Sequence, residues 1–347
     1  MANFDDMKLA VEALTGGKNT VLLDDLGMPS IMVAWPKQKN KDLITGGSDA
    51  VHPGSIVNGV EKLMYVSKYQ NIVVNERAYS LPGQDPATSI NFDTSVSRCR
   101  KKGNGWGLMP VSLWAQIALW CRKNGTMPRG NNNYGQDHSY AHEKGTPTSI
   151  GGDSKVNRCA TGSGPATWNH NWLPDGISDM NGNVWEWCAG MRLNAGEIQI
   201  IPNANCMDPE VSMAAASTAW KAILGSDGSL VDPGTEGTLK YDNGAFSLVT
   251  TKTGEAEASK SGSYASMGKE SSLTVPELAK ILILYPDEPN GDYAGDYHWW
   301  NTDGERLPVC GGTWTVTSNA GVFTLYLDNT RSNAGGSFGF RSAFCAL

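Results

Sequence analysis

GISDMNGNVWEWCAG, running from Gly176 to Gly190, is the stretch around which the rest of the chain falls into order. Asn181, Gly182 and Asn183 tolerate left-handed backbone and invite a tight turn. Beyond the turn, Trp185 and Trp187 alternate with Glu186, and a period of two lets a strand bury both rings on one side. The carboxylate of Glu186 then points the other way.

Before this stretch, Phe92, Val96 and Cys99 recur at helical spacing, with Asn91 or Asp93 to cap the start and Gly103 to end the helix. A second helix is predicted from about Pro110 through Trp114, Ile117, Ala118 and Cys121 to Asn124-Gly125, with Arg122 and Lys123 in its last turn. Both are expected as amphipathic helices beside a sheet. From Thr20 to Ser80 the pattern is strand-like, and Asn58-Gly59 supplies a hairpin turn. Arg129 to Pro174, rich in Gly, Asn, Ser and Thr, reads as ordered loop. Pro276 to Pro286 reads as a short helix or buried segment stopped by proline.

After it comes GGTWTVTSNAGVFTLYLDNTRSNAGGSFGFR, Gly311 to Arg341, in which small and polar residues lie between a GGxW and a GFR signature. Leu325 and Leu327 alternate with Thr324, Tyr326 and Asp328, so a strand would turn the leucines inward and the other three to one outer face. Ser318 to Gly321 and Arg331 to Ala334 read as turns pinned by side-chain to backbone hydrogen bonds.

Composition narrows the function. The chain has 347 residues, of which 40% are apolar and 18% charged, with 40 glycines and 12 tryptophans, a globular protein with many turns. A net charge of −7 opposes a surface that tracks phosphates, so no nucleic-acid partner is expected. The basic run Arg98 to Lys102 reads as a solvated helix end. No apolar run approaches the roughly 18 residues that would cross a bilayer, and Met1 to Gly16 carries acidic residues where a signal peptide has basic ones. Neither membrane insertion nor export is expected. Seven scattered cysteines without a CxxC pair suggest reduced thiols, a Cys310 to Cys345 bridge remaining open.

The Gly176 to Gly190 stretch is very similar to the GLYDMxGNVWEW motif of formylglycine-generating enzymes. Cys99 to Gly125 resembles that family's helix, loop and helix, while GGTW at Gly311 and GFRSAF at Gly339 resemble its terminal strands. The resemblance implies an α+β, C-type lectin fold of the formylglycine-generating-enzyme (sulfatase-modifying factor) type, with two helices, a mixed antiparallel sheet, much irregular loop and a large insertion. It divides the chain into N-terminal strands joined to the core over 1–49, the first part of the lectin core over 50–190, an insertion of underived fold over 191–304 and a completing C-terminal region over 305–347. It also implies a structural calcium, held by Asp179 and Glu186 through side chains and by Gly182 and Val184 through carbonyls; these hard oxygens suit the ion, and hydrogen bonding of the two acids to backbone amides is the competing reading.

The same resemblance separates an enzyme from a binder. The family's oxidases need two redox-active cysteines between GGxW and GFR, and Gly311 to Arg341 contains no cysteine. Cys310 and Cys345 lie just outside, which leaves a metal-dependent oxidase using one of them as the alternative. The iron centre of related sulfoxide synthases draws on a separate helical domain that His52, His138, His142, His170 and His298 do not supply. His138 and His142 sit among glycines and read as loop. Glu288-Pro289-Asn290 and Trp300-Asn301 are similar to the calcium-sugar ligands of animal lectins, but with the wrong spacing, and read as a surface turn.

What fits better is the variable region of diversity-generating retroelement target proteins, whose SNAG, RSNA and GFR blocks alternate with diversified positions. Their adenine-rich Asn codons cannot yield Lys, Glu, Gln, Met or Trp, and the window lacks all five except Trp314 of the fixed signature. The resemblance assigns Thr313, Thr315, Val316, Thr324, Tyr326, Asp328, Gly335, Gly336, Ser337 and Phe338 as variable contact residues. It implies a receptor-binding protein without turnover and without a required cofactor. The implied partner is a protein or glycan on a target-cell surface, and the implied location is a phage tail, the cytoplasm before assembly, or a displayed cellular surface.

Overall fold

The computed structural model describes residues 4–347. Two sheets carry the fold. The first is wholly antiparallel and runs in the order Asn19–Leu23, Pro29–Trp35, Met64–Ser67, Ser342–Phe344, Trp106–Leu108. The end of the chain is therefore an inner strand, with Ala343 opposite both Val66 and Gly107. The second sheet is larger and mostly antiparallel, and it holds Trp185–Trp187, Glu305–Cys310, Leu325–Asn329 and Phe338–Phe340.

The expected helices form at Phe92–Arg100 and Val111–Lys123. Asn91 caps the first by accepting a hydrogen bond from Thr94 N at 2.9 Å. The second departs from expectation: it is buried on almost every side, as a helix enclosed within a core must be. Its Leu113, Trp114 and Ile117 share one core with Met64 and Val66 of the first sheet and Leu325 and Leu327 of the second. An additional helix, Phe4–Thr15, precedes the strands expected over 1–49 and leaves Leu9 and Leu14 exposed.

Asn58 and Gly59 form the predicted hairpin turn with φ of 50° and 75°, joining Ile56–Val57 to Val60–Glu61. Residues 129–174 are loop apart from a single turn of 3-10 helix at Ala166–Trp168, and Glu277–Ile281 is the short helix foreseen before Pro286. Residues 191–304, whose fold the sequence left open, are woven into the second sheet. Met191–Asn194 pairs with Glu305–Cys310, and Tyr297–Asn301 runs parallel to Leu325–Asn329.

The basic run is not wholly solvated. Arg98 and Lys101 do reach out to Glu76, but Lys102 is buried, with its ammonium 3.2 Å from the Trp106 ring centroid and 2.8 Å from Ser30 Oγ. Burial pushes its pKa down to about 7. The helix end turns inward because Gly103, at φ 112°, redirects the chain into the Trp106–Leu108 strand.

Candidate ligand-binding face

The face stands on a buried ion pair. Trp185 and Trp187 pack into an apolar cluster with Phe92, Val309 and Phe340, and Glu186 points away from it, as alternation required. Its carboxylate meets Arg341 of the GFR signature, with Arg341 Nε 2.5 Å from Oε2 and Nη2 2.6 Å from Oε1. Arg341 also donates to the Ser67 and Ser178 carbonyls at 3.1 and 3.0 Å, so one guanidinium ties together both sheets and the loop before the turn. Such a bidentate, fully hydrogen-bonded pair is the geometry in which burying two charges is tolerated. Two glycines beside the pair sit close against neighbouring backbone. A Cβ on Gly339 would lie 2.7 Å from Ala87 O, and one on Gly182, at φ +77°, would lie 2.2 Å from Asn131 O.

Leu325–Asn329 lies next to this frame, paired with Glu305–Cys310. Leu325, Leu327 and Asn329 are buried and Tyr326 and Asp328 reach the surface. Thr324 corrects the expectation: it is fully buried, because it precedes the strand and closes the Ser318–Gly321 turn by donating to Asn319 O at 2.6 Å. Thr313 is buried as well, its hydroxyl accepting from Thr315 N at 3.3 Å. The other eight assigned residues, Thr315, Val316, Tyr326, Asp328, Gly335, Gly336, Ser337 and Phe338, are exposed or half-buried. Phe338 stacks on Trp187 at 5.6 Å, and burial, followed by the Asp328 charge, raises the Tyr326 pKa.

The turns that flank the strand are held by buried and half-buried side chains. Asp296 accepts from Phe323 N at 2.7 Å and fills the space beside Gly321, where a Cβ would come within 2.0 Å of its carboxylate. Burial pushes the Asp296 pKa up to about 8 and that of neighbouring His298, bonded to Phe323 O, down to about 3. Arg331 holds the second turn through both oxygens of Glu305, Asp93 and the Met213 carbonyl, and Thr330 donates to Asn333 Oδ1, a bond between side chains where side-chain to backbone bonds were expected.

Sequence reasoning missed the neighbours of the face. On Tyr297–Asn301, Tyr297, Trp299 and Asn301 point outward while His298 and Trp300 are buried. Trp299 sits opposite Tyr326 with ring centroids 5.7 Å apart, and Trp185 lies 5.4 Å from Tyr326 and 6.1 Å from Trp299. Tyr297 continues the row at 4.7 Å from Trp299. Tyr297, Trp299 and Trp185 thus form a row of rings beside Tyr326. The alternation of YHWWN carries this signal, but it lay in a segment whose fold was left open.

Of the expected calcium ligands, Gly182, Val184 and Glu186 converge through the expected groups and Asp179 through its carbonyl instead of its side chain, though not on a space for an ion. The carbonyls of Asp179, Gly182 and Val184 and Glu186 Oε1 lie 3.1, 3.4, 3.2 and 3.0 Å from Gln70 Nε2. Both Glu186 oxygens are engaged by Arg341, and Asp179 Oδ2 accepts from Gly162 N at 2.7 Å. Burial pushes the Asp179 pKa up to about 6. As they stand, these residues do not fit a calcium ion, because an amide occupies the centre of the oxygen ring and calcium takes about six to eight oxygens.

The remaining candidates are also placed. His138 and His142 are exposed loop residues, and among the described residues no three His, Cys, Asp or Glu side chains group as metal ligands. Cys310 ends a strand of the second sheet and Cys345 follows the last strand of the first, and all seven cysteines are buried free thiols. Cys310 neighbours Cys188, whose pKa is held well above the thiol range by burial and by their hydrogen bond. Glu288 pairs with Arg122, while Trp300 is stacked between Tyr241 and Phe246, so those two motifs do not meet as ligands. No helix among the described residues is long and apolar enough to cross a membrane.

No family model and no curated protein matches this chain. Solved structures similar to it do exist. One is variable protein 1 of Treponema denticola, at 12% identity and a TM-score of 0.34, over 94% of this chain and 99% of that one. The U1 and P3c variants of the Major Tropism Determinant are 10% and 9% identical, each with a TM-score of 0.31 over 94% of this chain and 71% of theirs. At such values it is the chain's own residues, and not these similarities, that carry its functional reading.

Proposed function

We propose that this chain is a receptor-binding protein of the retroelement-diversified kind, built on a C-type lectin core, that recognises a protein or glycan on a target-cell surface and does not transform it. The observation that carries this reading is that eight of the ten assigned residues are exposed or half-buried, while Glu186 and Arg341 of the neighbouring frame form a buried ion pair. Aromatic rings bury large area at low entropic cost, so Tyr326, Phe338 and the neighbouring Trp299 serve as anchors, and Thr315, Asp328 and Ser337 supply adaptable polar contacts. A phage tail is the setting in which such a face has most use; a displayed cellular surface fits the same chemistry. The cysteines, all buried free thiols, do not favour the oxidase reading.

The test is binding of fluorescently labelled protein to panels of intact bacterial cells, followed by flow cytometry. Binding to a subset of strains, lost on Tyr326→Ala with Asp328→Ala while the fold persists, is the expected result. Equal binding by wild type and the double variant would contradict it. Independently, the neighbouring DNA should hold an adenine-rich near-copy of the 3′ coding segment beside a reverse transcriptase gene.

A further inference from the structure

We propose that Gln70 is a built-in substitute for a divalent cation, and that the frame under the binding face is thereby independent of metal. Four oxygens from one loop and strand, the carbonyls of Asp179, Gly182 and Val184 and the carboxylate Oε1 of Glu186, surround Gln70 Nε2 at 3.0 to 3.4 Å. An amide nitrogen has two protons, fewer than the oxygens that face it. The arrangement is therefore that of a coordination shell, with the positive end of a side-chain dipole at its centre. Arg341 supplies the full charge, since it binds both Glu186 oxygens and the Ser178 carbonyl.

The orientation of the amide is set by the backbone. Asn183 accepts from Cys159 N at 2.8 Å and donates to Cys159 O at 3.1 Å, which fixes its own amide, and its Nδ2 then donates to Gln70 Oε1 at 2.8 Å. Turning Gln70 over would set its oxygen against four others and its nitrogen against a donor. The side chain is fully buried, so water does not complete the shell from outside. Tight turns supply the convergence, with Asp179, Gly182 and Asn183 all at positive φ.

Shortening the side chain while making it anionic should return the shell to a cation. Gln70→Asp withdraws the head group by one methylene and leaves a carboxylate facing the oxygens across a space of ionic size. The variant is expected to melt below wild type in EGTA and to regain at least about 3 °C in about 5 mM calcium chloride, against a sodium chloride control of equal ionic strength. Wild type is expected to melt alike in EGTA and calcium. A second readout covers failure of that variant to fold: in Gln70→Ala, terbium added alone should give luminescence sensitised by Trp185 and Trp187, and wild type should give none. Calcium-dependent melting or sensitised terbium emission in the wild type would overturn the proposal, as would the absence of both responses from the two variants.

Discussion

Glu186 and Tyr326 stand on two strands that share the neighbour Glu305–Cys310, yet their surroundings are opposite. Around Glu186 both carboxylate oxygens are bonded, the partner guanidinium is buried, and the glycines at 182 and 339 admit no Cβ. Around Tyr326 the outward side chains touch other rings, and Asp328 has one loose ion pair with Arg306 at 3.9 Å. One sheet thus holds positions locked by buried charge and close backbone beside outward positions with few fixed partners. The difference follows from which side of each strand faces the core, and it is what a surface must have if its contacts are to change while its backbone does not.

The comparison breaks most readily at the frame. Arg341→Ala would leave the Glu186 charge buried with only the Gln70 amide beside it, and removal of one partner from a buried pair costs about 3–5 kcal/mol. Urea unfolding should show that loss, and a change below about 1 kcal/mol would mean that the pair does not hold the frame. Acid should act next. His52, His170 and His298, pushed down to about 4, 3 and 3 chiefly by burial, are neutral when folded and take up protons only on unfolding. Their stabilisation is complete above about pH 6.5 and is lost as pH falls, by at most about 1.4 kcal/mol per pH unit for each. Asp296, raised to about 8, acts in the opposite sense across the whole of that fall, and Asp179, raised to about 6, only below about pH 6, so three groups work against two. Urea midpoints should therefore decline from about pH 6.5 to about pH 4.5; a flat or rising profile would contradict the neutral, buried state of the histidines.

The face sharpens the comparison with smaller effects on stability. Trp299→Ala should weaken binding to a responsive strain by about 2 kcal/mol or more, the scale of an aromatic anchor, whereas Tyr326→Ala, half-buried, should cost about 1 kcal/mol of stability. Titration on cells and thermal melting would separate the two quantities. Thr315→Asn, Asp328→Asn and Ser337→Asn should each change stability by less than about 0.5 kcal/mol. If they destabilise as a core change does, the outer positions belong to the frame.

Much of this was legible because it is local. Alternation of Trp185, Glu186 and Trp187, the Asn91 cap, the Asn58-Gly59 turn and the alternation from Leu325 to Asp328 each need only neighbours in sequence. Thr324 was misplaced because alternation does not mark where a strand begins, and the closing bond to Asn319 precedes it by one residue. Lys102 was misread because its stacking on Trp106 depends on how the chain turns at Gly103. Gln70 could not be foreseen as the centre of the oxygen shell, since its partners lie more than 100 residues away in sequence. Trp299 lies much nearer to Tyr326 in sequence, but it reaches that ring only through the parallel pairing of two strands, which alternation within either strand does not reveal.

The most direct test is a library in which Thr315, Val316, Tyr326, Asp328, Ser337 and Phe338 are randomised together, each member scored by proteolysis for retained fold. A frame that carries the structure predicts that most members remain folded, while a matched library at Gln70, Ser178, Glu186 and Arg341 loses nearly all of them. Equal loss in both libraries would contradict a stable core that presents an exchangeable face.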